Sequence, residues 1–198
     1  MEKLKKQFKE PFERFEMQKQ QIRRLWNIDP ECAQLLHFLV DIKAPKHILE
    51  IGTSNGYSAF MMSLACQDTN CLLETIEVDE KRYQMAKENL SGMTQIKQYL
   101  GKAEDVIPRL TNLYDFVFID ANKPAYIQYI QLIIPFLHDK AVIVADNVSS
   151  HPETTKAYQD FIMNDLRFKS MLLNHEAGLM ISIFSKKGAM PLSPAARS

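Results

Sequence analysis

The 198-residue sequence predicts one α/β domain: a mostly parallel sheet with helices on both faces, closed by an antiparallel hairpin. Three observations lead there. From His47 onward, short apolar runs alternate with segments of helical period, the signature of strands joined by crossover helices. The runs at 114–119 and 141–146 are nearly continuous in apolar residues, as strands covered on both faces require. The last two runs, 169–175 and 178–185, are separated by Glu176 and Ala177 alone. That is too little chain for a helical crossover, so the two must pair antiparallel.

The elements follow in order. Phe8, Phe12, Phe15, Ile22 and Trp26 recur at steps of three, four or seven, which predicts a helical arm over residues 1–26 with Pro11 starting or kinking it. Asp29-Pro30 reads as an N-cap and a first-turn proline, and Leu35, Leu36, Leu39 and Val40 stripe the helix that follows. Strands are expected at 47–51, 72–78, 96–100, 114–119 and 141–146, then the hairpin. Residues 27–186 form the domain. The tail 187–198, small and proline-containing without periodicity, is expected to be disordered.

Composition narrows the class. Hydrophobic residues make up 46% and charged residues 24%, so a packed globule is expected and a disordered or fibrous chain is not. No uncharged apolar run reaches the roughly 18 residues of a membrane span, and the basic N-terminus lacks the apolar stretch of a signal peptide, so the expectation is a cytoplasmic protein without a membrane partner. Lys plus Arg equals Asp plus Glu at 24 each, yet residues 1–26 hold eight basic groups against four acidic ones. A basic arm thus joins an acidic body. Cys32, Cys66 and Cys71 have no zinc-type pairing and read as reduced, packed thiols. His37 and the Met61-Met62 pair read as interior packing.

In open α/β sheets ligands sit beyond the carboxyl ends of the strands, so the residues directly after each run carry the chemistry. The first run leads into Glu50-Ile51-Gly52-Thr53-Ser54-Asn55-Gly56-Tyr57-Ser58, a glycine turn and a helix start. Serine at position 54 breaks the three-glycine dinucleotide fingerprint, which disfavours a nicotinamide oxidoreductase. The second run ends in Glu77-Val78-Asp79; Asp79 reads as a helix N-cap, which leaves Glu77 to accept hydrogen bonds from ribose hydroxyls. Turn and acid together point to an adenosine cofactor held without a pyrophosphate cradle, favouring S-adenosylmethionine over NAD.

Asp120 ends the fourth run, and Asp146-Asn147 ends the fifth. Three hard oxygen donors at two neighbouring strand ends suit Mg²⁺, or another divalent cation such as Ca²⁺ or Mn²⁺. Lys123 lies three residues past Asp120. Beside a divalent cation, like charge and desolvation favour loss of its proton, the state a general base needs.

LEIGTSNGYSA, TIEVD, DFVFIDANKPAYIQY and IVADNV resemble, in order and spacing, the successive motifs of the class I S-adenosylmethionine-dependent O-methyltransferases of the catechol and caffeoyl-CoA type, small bacterial members above all. The resemblance runs from Asn27 to Phe184. It implies a Rossmann-like methyltransferase fold, a seven-stranded sheet with the last hairpin antiparallel, dependence on a divalent metal, and methyl transfer to a hydroxyl. It places Asp120, Asp146 and Asn147 on the family's metal ligands and Lys123 on its base. Glu77, with Val78 beside it, falls on the ribose ligand. Glu50, Gly52, Ser54, Gly56, Tyr57 and Ser58 fall on the turn that holds the methionine part, and Asp120 borders the cofactor as well. Asn27 and Ile28 match the segment that closes over that end, and Ala103 falls beside the adenine. Asn122 stands where bacterial relatives commonly have aspartate, and Met171 where the animal catechol enzyme has a glutamate that binds the second catechol hydroxyl.

The mechanism so implied is direct displacement, with the acceptor hydroxyl held at the cation, Lys123 taking its proton and the oxygen attacking the methyl group. The acceptor is expected to be a small phenolic or catechol-like hydroxyl compound. Family members that methylate 5-hydroxyuridine in tRNA supply the alternative, which the basic arm would suit. A non-catalytic module that binds S-adenosylmethionine is the rival of another class. Trp26 and the loop after Asn147 are candidate pocket walls, and His151, just past that loop, reads as a surface histidine. The resemblance also suggests a homodimer.

Overall fold

The computed structural model describes residues 2–22, 25, 27–67, 69–150, 152–174 and 177–187. Trp26, His151, Glu176 and the tail from 188 lie outside the described residues, so the expectations for them stay there.

Seven strands form one sheet in the order β3-β2-β1-β4-β5-β7-β6. They are β1 (His47–Ile51), β2 (Leu72–Glu77), β3 (Ile96–Leu100), β4 (Tyr114–Ile119), β5 (Leu137–Ala145), β6 (Phe168–Leu173) and β7 (Leu179–Phe184). The first five pair parallel; β7 pairs antiparallel with both β5 and β6. The expected hairpin is therefore present, with β7 inserted between β5 and β6. Four strands differ in extent from the sequence reading: the hairpin strands, expected at 169–175 and 178–185, run Phe168–Leu173 and Leu179–Phe184, and β2 and β5 differ as well. β2 stops at Glu77, and Val78 turns outward into solvent. β5 starts four residues earlier, at Leu137, where a register shift against β4 and a left-handed Lys140 (φ 65°) accommodate the polar stretch His138-Asp139-Lys140.

The helices are α1 (Glu2–Gln7), α2 (Lys9–Gln21), α3 (Pro30–Lys43), α4 (Tyr57–Ala65), α5 (Glu80–Asn89), α6 (Ala103–Val106), α7 (Tyr126–Ile133) and α8 (Pro152–Asn164). The arm breaks at Phe8, not at Pro11. Pro11 falls in the first turn of α2, where an N–H would find no intrahelical acceptor and its absence costs no bond, so it starts the helix without kinking it. α2 ends at Gln21, leaving Ile22 extended. α3 starts as its sequence demands: Asp29 accepts from the amides of Glu31 and Cys32, both at 2.8 Å, with Pro30 in the first turn. Asp79 caps α5 through Arg82 N at 2.9 Å.

The sheet separates two cores. One holds the inner faces of α6, α7 and α8, with Tyr126, Ile130, Tyr158 and Ile162. The other holds α2, α3 and α4, with Phe12, Phe15, Leu36, Phe60 and both Met61 and Met62. The arm is thus part of the second core: Phe8, Phe12 and Phe15 stack on Phe60 at centroid separations of 6.1, 5.5 and 5.4 Å. His37 is satisfied internally, its Nδ1 3.1 Å from Met61 O. All three cysteines are buried and unlinked. Among the described residues no helix is long and apolar enough to cross a membrane.

Candidate active site

The sheet ladder continues one residue past three strands. Gly52 N donates to Ile76 O, Asp120 N to Ile51 O and Asp146 N to Ile119 O, at 2.9, 2.9 and 3.0 Å. The residues that follow β1, β4 and β5 are thereby lined up along one edge, at the point where the strand order reverses between β1 and β4. A cavity of about 870 Å³ opens there, inside the range of about 300 to 1,000 Å³ usual for small-molecule sites.

Eleven of the residues expected from the sequence line this cavity: Asn27, Ile28, Gly52, Ser54, Glu77, Val78, Ala103, Asp120, Lys123, Asp146 and Asn147. Glu50, Gly56, Tyr57 and Ser58 stand behind that wall and shape the turn. Glu50 is fully buried and accepts from Ser58 Oγ and Thr75 Oγ1, each at 2.5 Å. Burial raises its carboxyl to about 8 in spite of those two bonds, so it is mostly protonated at neutral pH. Gly56 takes φ 91° to start α4, and Tyr57 packs its ring against Phe15.

Glu77 organises the turn from the opposite side. Its Oε2 accepts from Ser54 N at 2.8 Å, and its Oε1 from Asp79 N at 2.9 Å and Arg82 Nε at 3.2 Å. A carboxylate offers about four lone-pair positions, so Oε2 keeps capacity for one further donor. Two residues of the cavity wall, Ser54 and Asn27, each carry a buried polar atom without a hydrogen-bond partner, Oγ and Oδ1 respectively. Buried orphans of this kind call for a ligand.

Asp120, Asp146 and Lys123 set the field elsewhere on the wall. Lys123 Nζ bonds Asp120 Oδ1 at 2.7 Å. Asp146 is held by its neighbour's amide, Asn147 N to Oδ1 at 2.7 Å, with Asn147 in a left-handed conformation. Burial first, and the Asp120 charge second, push the Asp146 carboxyl up to about 7. Two acids facing one cavity with this much mutual cost are a site that gains by taking up positive charge.

Several lining residues were invisible at the sequence level as site members: Leu25, Asp29, Arg82, Thr154 and Ala177. Asp29 had a local signal, but it read as an N-cap and nothing more; it does both. Tyr126 was missed as a brace. Its buried hydroxyl reaches Asp146 O at 3.1 Å and Ile119 O at 3.3 Å, tying together the ends of β4 and β5. Met171 corrects an expectation: it is exposed in mid-β6 and off the cavity, and Ala177 is the residue near the hairpin that reaches the wall.

The pattern defining one protein family, described as O-methyltransferase, matches residues 5–182. The chain belongs to the O-methyltransferase family. A catechol O-methyltransferase of Niastella koreensis is 36% identical over 129 residues, which is 62% of this family member and 58% of the relative. Caffeoyl-CoA O-methyltransferase 5 of Nicotiana tabacum is 26% identical over 178 residues, 78% of this chain and 74% of that one. With the Niastella relative and a Mycobacterium tuberculosis catechol O-methyltransferase, the match spans less than two thirds of the relative's length, 58% and 56%. Among solved structures, the SAH-bound methyltransferase PaMTH1 of Podospora anserina superposes with a TM-score of 0.80 at 23% identity, covering 89% of this chain and 88% of that one. The SAH complex of a Bacillus cereus O-methyltransferase gives 0.75 at 22%, covering 80% and 83%. These likenesses establish the fold of the O-methyltransferase-family chain as the Rossmann-like one, seven strands with the antiparallel end.

Proposed function

We propose that the cavity binds S-adenosylmethionine and that the chain transfers its methyl group to a hydroxyl of a small phenolic or catechol-like acceptor, with a divalent cation such as Mg²⁺. One observation carries the reading: a single cavity is lined both by Glu77, Ser54 and Asn27, and by Asp120, Asp146, Asn147 and Lys123. The first group suits a nucleoside with a polar amino-acid end; the second suits a cation and an ionising hydroxyl.

The residues present fit both groups. For the cofactor, the free capacity on Glu77 and the two orphans are unfilled hydrogen-bonding positions. For the cation, two carboxylates and the Asn147 amide are hard oxygen donors, the class that divalent Mg²⁺, Ca²⁺ and Mn²⁺ prefer. Among the described residues no group of three His, Cys, Asp or Glu side chains could hold a metal ion, and the reading takes the side-chain oxygen of Asn147 as its third donor.

Bound S-adenosylmethionine would supply an electrophilic methyl on a sulfonium, and the cation would hold the acceptor oxygen and stabilise its negative charge. The chain does the rest. Glu77 and the turn fix the nucleoside; Asn27 and Ile28 cover the cavity from the arm side. Lys123, held by Asp120 as an ammonium, would take the acceptor's proton at Nζ once it has given up its own, which a cation bound beside it would favour. Asp146 is presented by a rigid bracket of Asn147 N and Tyr126 Oη. Positioning of the two reactants is where most of the rate arises in such a displacement.

The tRNA alternative draws no support. The relatives named above carry catechol and caffeoyl-CoA names, and the apolar face of the arm is occupied by packing on α4. For a homodimer the support is exposed apolar side chains among the described residues: Met171 and Ile183 on the β6–β7 hairpin, and Phe38 and Ile42 on α3.

The test is transfer of labelled methyl from S-adenosylmethionine to catechol or caffeic-type acceptors. Product is expected with Mg²⁺ and is expected to disappear with chelator or Asp146→Ala. Turnover that persists under both treatments removes the metal role. Absence of SAH binding by calorimetry removes the cofactor.

A further inference from the structure

The arm does more than cover a core. Gln18, on α2, reaches into a cluster of amides beside the glycine turn. Its Oε1 accepts from Asn89 Nδ2 at 2.8 Å and from Asn55 Nδ2 at 2.9 Å, and its Nε2 donates to Asn89 Oδ1 at 3.1 Å. Gln18 and Asn89 thus form a reciprocal amide pair. Asn89, the last residue of α5, also donates to the backbone carbonyl of Asn55 at 2.8 Å. Asn55 belongs to the turn whose preceding amide, Ser54 N, is given to Glu77.

The same helix grips the far end of the turn through rings. Phe15 meets Tyr57, the first residue of α4, edge-on at 5.3 Å. Beyond α2 the chain returns to the cavity, where Leu25, Asn27, Ile28 and Asp29 form part of its wall. α2 thus contacts the glycine turn directly and lies only a few residues ahead of a segment that lines the same cavity.

We propose that Gln18 is a positioning residue for cofactor binding: its amide pair locks the arm to the glycine turn, so that arm docking and cofactor affinity are coupled. This rests on reading the cavity as a site for S-adenosylmethionine. By linkage the coupling is reciprocal, so bound cofactor must tighten the arm as much as the docked arm tightens cofactor. A leucine at position 18 keeps the size and removes every polar partner, stranding the amides of Asn55 and Asn89.

The experiment compares wild type, Gln18→Leu and, as a control on the exposed face of the same helix, Gln20→Leu, by SAH calorimetry and steady-state kinetics well below the unfolding temperature. Gln18→Leu is expected to weaken SAH roughly 5- to 50-fold, the span typical of coupled sites, and to raise KM for S-adenosylmethionine with kcat at saturation held within about twofold. Gln20→Leu is expected to match wild type. A role confined to stability would lower the melting temperature and leave the affinity alone. Hydrogen exchange on the wild type gives a second reading that needs no variant: amides 9–21 are expected to exchange more slowly with saturating SAH. SAH affinity unchanged in Gln18→Leu, or exchange in α2 unchanged by SAH, overturns the coupling while leaving the cofactor reading intact. Failure of wild type to bind SAH overturns both.

Discussion

Nζ of Lys123 lies 2.7 Å from Oδ1 of Asp120, three residues back in the chain, with the two side chains only 16% and 14% exposed. The pair joins the residue assigned the proton-accepting role to a residue assigned to the cation. It also holds the ammonium 5.7 Å above the ring of Tyr126, the residue that braces Asp146.

That geometry makes Lys123 testable by two substitutions. Lys123→Met is expected to lower kcat by about 10² to 10⁴, the usual worth of a positioned acid or base, while SAH affinity stays within about twofold. Lys123→Arg keeps the ion pair, yet a guanidinium does not release its proton at accessible pH. Arginine is therefore expected to fail to rescue turnover. Recovery of more than a tenth of wild-type kcat would mean that the positive charge, not proton transfer, is what Lys123 contributes.

Asp146 sets a pH dependence of stability. Burial, then the Asp120 charge, raises its carboxyl from 3.8 to about 7. The folded protein therefore holds a proton there that the unfolded chain has lost. Stability from this group is complete below pH 3.8 and is lost as pH rises through 7. Glu50, raised by burial from 4.5 to about 8, acts with the same sign. In chelator-treated buffer the melting temperature is expected to fall between pH 5 and 8. Asp146→Asn is expected to flatten that fall and to be the more stable protein at pH 8, by something of the order of 1 to 4 kcal/mol. Added Mg²⁺ should raise the wild-type melting temperature more at pH 8 than at pH 5, and should not raise that of the variant. Equal slopes in the two proteins would dispose of the assignment.

Glu77 is engaged before any ligand arrives, and its removal has a double consequence. Glu77→Ala leaves Ser54 N, Asp79 N and the Arg82 guanidinium without their acceptor. These donors are at most partly buried, so water can replace much of what they lose, and chemical denaturation should show a loss of about 1 kcal/mol, the low end for an unpaired donor. SAH calorimetry should show affinity reduced at least tenfold. A destabilised variant that still binds SAH like wild type would confine Glu77 to holding the turn.

How legible this was depended on distance along the chain. Glu77, Asp120 and Asp146 were readable because each directly follows a buried apolar run, so the rule that ligands gather at carboxyl ends pointed to them. Asp29 was readable only in its local role, since a cap is a matter of three residues, whereas its place on the cavity wall depends on how α2 docks. Thr154 and Ala177 reach the wall through tertiary packing of α8 and of the hairpin, which no local pattern encodes. Tyr126 looked like one more apolar position of a helix; the meaning of its hydroxyl lies in two carbonyls 7 and 20 residues away. The early start of β5 was hidden because its first residues are polar and its register shifts, both contrary to a continuous apolar run.

Gly52 is the position where the backbone itself makes the site. It adopts φ 99°, and a Cβ built there would stand 1.9 Å from the carbonyl oxygen of Asp120 and 3.3 Å from Cα of Ala121. Both obstacles are main chain, held in line by Asp120 N on Ile51 O, so neither can swing aside as a side chain would. Gly52→Ala must then push β4 away from the turn or abandon the left-handed conformation, and either route displaces Asp120 relative to Glu77. The expected cost exceeds the 1 to 3 kcal/mol typical of a strained φ alone, because a main-chain clash adds to it. The variant should therefore unfold at markedly lower denaturant. At temperatures where it remains folded, it should bind SAH at least tenfold more weakly. Alanine is the smallest side chain, so a well-folded Gly52→Ala protein with wild-type SAH affinity would show that the turn and β4 are not in the close contact on which the placement of Asp120 depends.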